Sequence, residues 1–266
     1  MKEPLITLTT DFGLVDHFVA AMKGVILGIA PRARIVDISH EIQPFAVPQA
    51  AFTLDQAARC FPRGTIHVAV VDPGVGSERR PLLAEAGGQY FLAPDNGLLA
   101  LVCARTRPRV RAITAARYFR RPVSRTFHGR DIFAPVASHL ARGVKPAQFG
   151  RLISDYDRGK FAAPFASAER CWLGAVLAVD RFGNLITNFP SDQFGHLSRT
   201  RFRLRAGRKT VRRWAESYSQ GLPGEVLLIP GSSGFLEVAS NQGRAAAMTG
   251  CVAGSELRLM AGYDPA

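Results

Sequence analysis

Short apolar runs alternate with segments of helical periodicity through the first part of the chain. Five apolar runs have the length and continuity of buried strands: 5–10, 34–39, 65–71, 89–93 and 109–114. Apolar residues spaced three and four positions apart predict four helices: 17–30, 47–61, 96–104 and 129–143. Pro135 should kink the last helix or delay its start. This alternation predicts an α/β N-terminal domain with a mostly parallel sheet, over residues 1–160.

The pattern changes after about residue 155. Residues 161–172 have the small, proline-containing character of a linker. Six short apolar segments follow, separated by Gly, Asn and Pro turns: WLGAVLAVD, NLITNF, RFRLRAG, EVLLIP, FLEVAS and SELRLMAG. Short strands with frequent turns and no long helical pattern predict a second domain over residues 168–266, a small antiparallel β-barrel or sandwich.

Composition describes an ordinary globular protein. The chain has 266 residues, 47% of them hydrophobic, which is enough for one large domain or two modest ones. No apolar run approaches the roughly 20 residues of a membrane helix, and the first residues enter a strand without a signal-peptide pattern. We therefore expect a cytoplasmic protein with no membrane partner. The four cysteines form no CxxC pair, which predicts four buried free thiols rather than a zinc site or disulfides.

The chain is strongly basic. The net charge is +13, and 29 of the 34 basic residues are arginines. Such a charge is compatible with nucleic-acid binding. The arginines are scattered, however, with one dense block at 199–213, and no recognition helix, zinc module or RNA-binding aromatic motif accompanies them. A solvated basic face is the favoured interpretation, so we expect no nucleic-acid partner, while an anionic or nucleotide-like ligand stays open.

Three predicted strands end in an aspartate that a glycine-containing turn follows. These are Asp11 in TTDFG, Asp72 in VDPGVG and Asp95 in APDNG. A single aspartate of this kind is usually a helix cap or a turn residue. Because ligands of open α/β sheets bind beyond the carboxyl ends of the strands, three of them predict a common crevice, with a ligand or cation that offsets their repulsion.

The residues after Asp72 indicate its partners. The glycines of DPGVGSERR match neither the P-loop nor the dinucleotide-binding fingerprint. They predict instead a turn that brings Arg79 or Arg80 back to Asp72; the alternative is a surface ion pair of little consequence. His128, in TFHGRD, is structural more often than catalytic when considered alone. An Asp, an Arg and a His in one crevice could together orient and activate a water.

The second domain offers an aromatic ring beside amide groups. The segment DRFGNLITN places Asp180 at a strand end, Phe182 in the turn and Asn184 after it, and PGSSGFLEVASN contains a turn rich in Ser and Gly. All of these are common turn residues. A flat ring beside an Asn amide is nonetheless what an adenine needs, because one face stacks and one polar edge pairs.

Together these motifs resemble those of the S-adenosyl-L-methionine (SAM) hydroxide adenosyltransferases, the water-using relatives of the SAM-dependent fluorinase and chlorinase. Six motifs occur in the family's order along nearly the whole chain: TTDFGLVDHFVAAMKG, VDPGVGSERR, APDNGLL, TFHGRDIFAP, DRFGNLITN and PGSSGFLEVASN. The resemblance implies that a water-derived hydroxide attacks C5′ of SAM and releases adenosine and L-methionine. It also implies a catalytic, ribose-binding α/β domain, a C-terminal β-barrel that contacts adenine and methionine, and a homotrimer with sites between subunits. No metal or cofactor is implied.

Carried over by position, the resemblance gives the motif residues their roles. The catalytic residues that handle water would be Asp72, Arg79 and His128. The substrate-binding residues would be Asp11 and Phe45 at the ribose, Asp16 and Asp180 at the methionine ammonium group, Ser232 and Ser233 at its carboxylate, and Phe182 and Asn184 at the adenine. Which member of the catalytic group is the base stays open.

Two alternatives remain. A chlorinase-like halogenase would form a 5′-halogenated adenosine. The fluorinase has a Tyr where this chain has Asp72 and a halide-binding Ser where it has Gly129. The chlorinase also has Gly there, so Gly129 alone does not exclude chloride, and the stronger argument is that a carboxylate at the attack position would repel a halide. A non-catalytic adenosine- or SAM-binding protein would hold its ligand without releasing methionine.

Overall fold

The computed structural model describes residues 3–262, and the chain divides into two compact units, Met1–Gly159 and Lys160–Ala266. Each unit has its own sheet and its own apolar core. Within the described residues, no helix is long and apolar enough to cross a membrane.

The first unit is a sheet between two layers of helices. In chain order its elements are β1 (Leu5–Thr10), α1 (Phe18–Ile29), β2 (Arg34–Ser39), α2 (Val47–Ala58), β3 (Ile66–Val70), β4 (Pro81–Ala86), β5 (Gln89–Pro94), α3 (Ala100–Arg105), β6 (Arg109–Ala112), α4 (Ala134–Ala141) and β7 (Leu152–Ile153). Helices α1 and α4 pack on one face of the sheet, and α2 and α3 pack on the other. Alternate residues of β3 serve the two cores: Val68 packs with α1 and α4, and Ala69 packs with α2.

The sheet of the first unit is mixed. Its spatial order is β2-β1-β3-β5-β4-β6-β7, in which the first four strands are parallel and the last three are added by antiparallel pairing. The expected parallel arrangement is confirmed for the half that carries Asp11 and Asp72. The strand β4 is an addition to the predicted set. It forms a hairpin with β5 through Gly87 and Gly88, whose φ values of 57° and 80° suit a two-residue hairpin turn.

The segment 129–143 is helical, as predicted, but in two parts. A π-helical turn, Gly129–Phe133, comes first, and α4 begins at Ala134. Pro135 lies inside a continuous helix, directly after this π-helical turn. The helical backbone begins where it is predicted, and what changes next to the proline, which has no N–H to donate, is the hydrogen-bond pattern of the helix.

The second unit is an antiparallel sheet that curls into a nearly closed barrel. Its elements are β8 (Phe165–Ala168), β9 (Cys171–Val179), β10 (Leu185–Pro190), α5 (Ser191–Phe194), β11 (Phe202–Ala206), β12 (Lys209–Val211), β13 (Val226–Pro230), β14 (Phe235–Ser240), α6 (Ala245–Thr249) and β15 (Glu256–Ala261). The strand order is β12-β11-β15-β9-β10-β14-β13, with β8 beside β9. Just after β12, Trp214 bridges Leu228 of β13, and Ala215 N–H donates to the Leu228 carbonyl at 3.0 Å, so the two ends of the sheet approach each other.

All four cysteines are free thiols. Cys171 and Cys251 are buried in the barrel, as expected, whereas Cys103 is half-buried and Cys60 is exposed. The prediction of four buried thiols is therefore wrong for Cys60, which follows the end of α2 at Ala58 and lies in the turn beyond it.

Candidate active site

Asp72, Arg79 and His128 are in direct contact in the first unit. Arg79 donates from Nε to Oδ1 of Asp72 at 3.1 Å, and its Nη2 forms an ion pair with Oδ2 of the same carboxylate. The same Nη2 lies 2.7 Å from Nδ1 of His128. The guanidinium thus links the carboxylate to the imidazole, and the structure brings the three sequence-predicted side chains together.

This contact determines the tautomer of His128. A guanidinium can only donate hydrogen bonds, so Nδ1 of His128 accepts, and in the neutral ring Nε2 carries the proton. Burial lowers the pKa of His128 and the charge of Arg79 lowers it further, against the opposing effects of Asp72, Asp131 and a hydrogen bond to the Ser124 backbone. The ring is therefore neutral near pH 7, with Nε2 as its donor.

The parallel strands explain why the two acids of the site are close. β1 and β3 are neighbours in the sheet, with Thr10 opposite Val70. Asp11 and Asp72 therefore leave the sheet at the same edge. The pKa of Asp11 is raised, mainly by burial, and the charge of Asp72 contributes to the rise. Hydrogen bonds from the N–H groups of Phe45 and of Asp11 itself act in the opposite direction.

The turn after Asp72 depends on glycine. The Asp72 carbonyl accepts the Val75 N–H at 3.3 Å, which folds the chain back. Gly76 has a φ of 80°, and a Cβ at this position would collide with the carbonyl oxygen of Arg125. The chain then returns to Asp72 at Arg79, whose side chain is only 8% exposed. This turn is the one that the sequence predicts.

A buried carboxylate anchors the loop that carries His128. Asp131 is fully buried and accepts hydrogen bonds from Ser124 N–H at 2.8 Å and from Arg130 Nε at 2.7 Å. Arg120 adds an ion pair at 3.3 Å. Burial alone would raise the pKa of Asp131, but these donors outweigh it and lower the pKa. The Asp131 carboxylate therefore holds together the backbone before His128 and the arginines on either side of it.

Phe45 occupies a strained position beside Asp11. Its N–H donates to Oδ2 of Asp11 at 3.0 Å, and its φ of 68° is one that non-glycine residues rarely adopt. The ring is 69% exposed. Strain of this kind is concentrated at functional sites, where the surrounding structure enforces it.

Asp11, Phe45, Asp72 and His128 line one cavity of about 310 Å³, a volume within the range of small-molecule sites. An aromatic wall completes it, formed by Phe12, Phe18 and Phe127, whose ring centroids are 5.0 to 6.0 Å apart. Arg79 is not part of the lining and lies behind Asp72 and His128. A ligand in this cavity would meet two carboxylates and an imidazole, with the guanidinium of Arg79 holding Asp72 and His128 from behind.

Asp95 does not join this cavity. Its carboxylate accepts a hydrogen bond from Nη2 of Arg80 at 2.6 Å, and the same guanidinium pairs with Asp155 at 3.0 Å. The expectation that three strand-end aspartates share one crevice is therefore wrong for Asp95, because Arg80 neutralises it in a separate network. Asp16 also lies outside the cavity lining, on the exposed segment between β1 and α1.

The remaining predicted residues belong to the second unit, which has a cavity of about 760 Å³. Asp180, Phe182, Asn184 and Ser232 line it, while Ser233 lies outside its lining. Asn184 donates to Asp180 from its backbone N–H and from Nδ2, both at 2.8 Å, so its amide nitrogen is committed to that carboxylate. The ring of Phe182 is 75% exposed.

Two further residues of this cavity, Tyr218 and Glu237, are absent from the sequence-predicted set. The Tyr218 hydroxyl donates to Oε2 of Glu237 at 2.9 Å. Burial, together with this contact and Asp180, raises the pKa of Tyr218 to about 12. A signal for Glu237 was present in the sequence: it is the charged residue inside the apolar strand FLEVAS.

Two family models cover the chain. The SAM hydroxide adenosyltransferase N-terminal domain matches residues 6–150, and the C-terminal domain of the same family matches residues 174–258. The chain belongs to the SAM hydroxide adenosyltransferase family. The contacts among Asp72, Arg79 and His128 lie within the first of these two domains, and the cavity around Asp180 lies within the second.

Named relatives of this SAM hydroxide adenosyltransferase agree with the family models. The chain is 40% identical to a Salinispora tropica protein named (R)-S-adenosyl-L-methionine hydrolase, over 97% of this chain and 98% of the relative. It is also 28% identical to a Nocardia brasiliensis fluorinase, over 70% of this chain and 71% of that one. An uncharacterized conserved protein from Thermotoga maritima has a solved structure that matches with a TM-score of 0.83 and 39% identity, over 96% of this chain and 99% of that one.

A metal site was not expected in this family member. Among residues 3–262, no group of three or more His, Cys, Asp and Glu side chains is placed to hold a metal ion.

Proposed function

We propose that this SAM hydroxide adenosyltransferase hydrolyses SAM to adenosine and L-methionine. The observation that carries the proposal is the contact of Arg79 with both Asp72 and His128 beside a cavity that also contains Asp11. Relatives that match nearly the whole chain and are named (R)-S-adenosyl-L-methionine hydrolase support it. On the same ground we propose the (R) form of SAM as the substrate.

The chemistry requires a positioned nucleophile and a base. The oxygen of a water attacks C5′ while the electron pair of the C5′–S bond passes to sulfur, which leaves as the neutral thioether of methionine. No acid is needed at the leaving group, and a water proton must be removed. Holding the water in line with C5′ is the larger part of the task.

The tautomer of His128 selects the base. Asp72 and His128 both line the cavity, but Nδ1 of His128 is occupied by Arg79 and Nε2 carries a proton. Asp72 therefore accepts the water proton, and His128, which also hydrogen-bonds to the Ser124 backbone, forms the cavity wall beside the water. Arg79 acts as the positioning residue that holds the two side chains at a fixed separation.

The other predicted residues, apart from Asp16 and Ser233, divide between the two cavities. In the first, Asp11 binds the ribose hydroxyls and Phe45 lies beside the ribose. In the second, Asp180 faces the methionine ammonium group, and Phe182 stacks on the adenine. Because the Asn184 amide nitrogen is committed to Asp180, its contact with adenine would use the carbonyl oxygen Oδ1. The assignments of Asp16 to the ammonium group and of Ser232 and Ser233 to the substrate carboxylate complete this proposal.

We also propose that the enzyme is a homotrimer with its sites between subunits. Each cavity holds only part of the substrate-binding set, which supports the proposal. Apolar side chains are strongly exposed close to these residues: Leu14 is 66% exposed, Val15 100% and Phe182 75%. Exposed apolar groups of this kind are what a subunit contact covers.

One observation disfavours any halogenase, and a second disfavours the fluorinase arrangement. A halide beside Asp72 would be repelled by the carboxylate. A Cβ at Gly129 would lie 3.1 Å from Sδ of Met22 and 3.4 Å from the Phe12 ring, so a hydroxyl-bearing side chain is crowded at the position where the fluorinase binds its halide.

The test is to incubate the purified protein with SAM in chloride buffer made with ¹⁸O-labelled water, and to identify the products by chromatography and mass spectrometry. We expect methionine and adenosine with the label in its 5′-hydroxyl group. The variant Asp72→Asn should release neither while still binding SAM, and Asp155→Asn, which alters an acid outside the cavity, should match the wild type. A 5′-chlorinated product, unlabelled adenosine, or SAM binding without turnover would overturn the proposal.

A further inference from the structure

Glu237 is a buried acid in the middle of β14. Its neighbours on the strand, Leu236 and Val238, pack into the barrel core, so the alternation of side chains directs Glu237 to the other face. There it lines the second cavity and is only 6% exposed. A carboxylate at such a place is unfavourable unless polar or charged groups satisfy it.

The protein holds this carboxylate in place but leaves its charge unneutralised. Tyr218 donates to Oε2 at 2.9 Å, and a Cβ at residue 231 would collide with the carboxylate, so Gly231 is needed for it to fit. Arg181 and Arg244 also line the cavity. Within residues 3–262, neither they nor any other basic residue forms an ion pair with Glu237.

A second acid faces the same cavity. Asp180 is bound by the backbone and side-chain nitrogens of Asn184, both of them neutral donors. Burial raises the pKa of Glu237, the Tyr218 hydrogen bond lowers it, and the charge of Asp180 raises it further. The cavity wall also contains a hydroxyl group that could bind a ligand. Ser240 is only 5% exposed, and its Oγ has no hydrogen-bond partner within the described part of the chain. Two like charges in one cavity are relieved by a bound cation.

We propose that Glu237, together with Asp180, binds the α-ammonium group of the methionine part of SAM, and that Tyr218 orients the Glu237 carboxylate for this contact. The inference rests on the proposed function and adds a specificity-determining residue to it. An ammonium group has three N–H donors and no acceptor, which two carboxylates match. The sulfonium centre of SAM has no N–H donor, and the exocyclic amine of adenine is neutral, so neither would satisfy two buried acids.

The test compares two substrates in three variants. The substrates are SAM and its deamino analogue, in which hydrogen replaces the α-ammonium group. In Glu237→Gln, we expect the KM for SAM to rise about 10- to 100-fold with kcat little changed, and the KM for the deamino analogue to change less than about threefold. Tyr218→Phe should raise the KM for SAM by a smaller factor. Glu256→Gln, which removes an exposed acid from another strand of the barrel, is the matched control and should behave as the wild type.

Equal losses on both substrates would overturn the inference, because a merely structural role of Glu237 does not distinguish them. An unchanged KM for SAM in Glu237→Gln would overturn it as well. If the wild type shows no hydrolysis, the proposed function fails, and the same comparison is made by calorimetric titration with SAM and the deamino analogue. A selective loss of SAM affinity in Glu237→Gln would then still support the inference, and equal affinities of variant and wild type would refute it.

Discussion

The substitution Arg79→Lys separates the charge of Arg79 from its geometry. The guanidinium makes three contacts at once: two with Asp72 and one of 2.7 Å with Nδ1 of His128. A lysine ammonium group keeps the positive charge but is a single point on a flexible stem, so it cannot span both partners in the same plane. At least one charge-assisted hydrogen bond is lost, each of which contributes about 1.5–3 kcal/mol.

If that alignment is needed in the transition state, the loss appears in kcat. A free-energy loss of about 1.5–3 kcal/mol, the contribution of one such bond, corresponds to a decrease in kcat of about 10- to 150-fold. Because Arg79 lies behind the cavity wall, the KM for SAM should stay within about threefold of the wild type. Steady-state kinetics of adenosine release measure both quantities.

Arg80→Lys is the matched control, since Arg80 is the next residue and binds Asp95 and Asp155 outside the cavity. It should keep a wild-type kcat. The positioning role of Arg79 would be refuted if Arg79→Lys retained kcat within threefold, because charge alone would then suffice, or if Arg80→Lys lost as much activity as Arg79→Lys.

Three further predictions follow from buried titratable groups. Since the pKa of His128 is lowered, kcat/KM should fall at a lower pH than the titration of an ordinary histidine would give, because only the protonated ring can no longer accept from Arg79; a fall that begins above pH 7 would contradict this. Burial lowers the pKa of His67 to about 4, so as the pH falls this histidine is protonated in the unfolded protein before it is protonated in the folded protein. Denaturant titrations should show about 1.4 kcal/mol of stability lost per pH unit between pH 6.5 and 4, and His67→Gln should flatten that slope; an equal slope in the variant would refute the assignment. Asp131→Asn should lower kcat and reduce stability by about 1–3 kcal/mol, with SAM affinity retained in a calorimetric titration; an unchanged kcat would show that the anchor does not position His128.

Most of the strands and helices could be predicted from the periodicity of apolar residues in the sequence. Strands such as β1 and β3 are buried along almost their whole length because both of their faces are covered by helices, and their mostly apolar runs are easy to recognise. The strand β4 is less evident, since its apolar run follows two arginines and is interrupted by Glu85. The pair Gly87 and Gly88 between β4 and β5 was a usable hairpin signal, because φ values of 57° and 80° are accessible to glycine at little cost.

The site was less predictable than the fold, because side-chain pairing depends on which groups are close in space. Asp95 ends a strand in the same way as Asp11 and Asp72, but β5 lies one strand further from β1, and Arg80 reaches it there. Glu237 was hidden because its importance depends on Asp180, which is far away in sequence and faces the same cavity. Local motifs give residue types at strand ends, whereas charge balance in a cavity is a property of the folded chain.

The adjacent residues Arg79 and Arg80 show this difference most clearly. They are chemically identical and follow the same turn, yet one guanidinium binds Asp72 and His128 and the other binds Asp95 and Asp155. Successive side chains of an extended segment point in opposite directions, so one of the two must turn away from the cavity. The turn through Gly76 brings Arg79 to Asp72, and it needs glycine because its φ is 80° and a Cβ would collide with the carbonyl oxygen of Arg125. Gly76 therefore supports the geometry in which Arg79, and not Arg80, holds the water-handling residues.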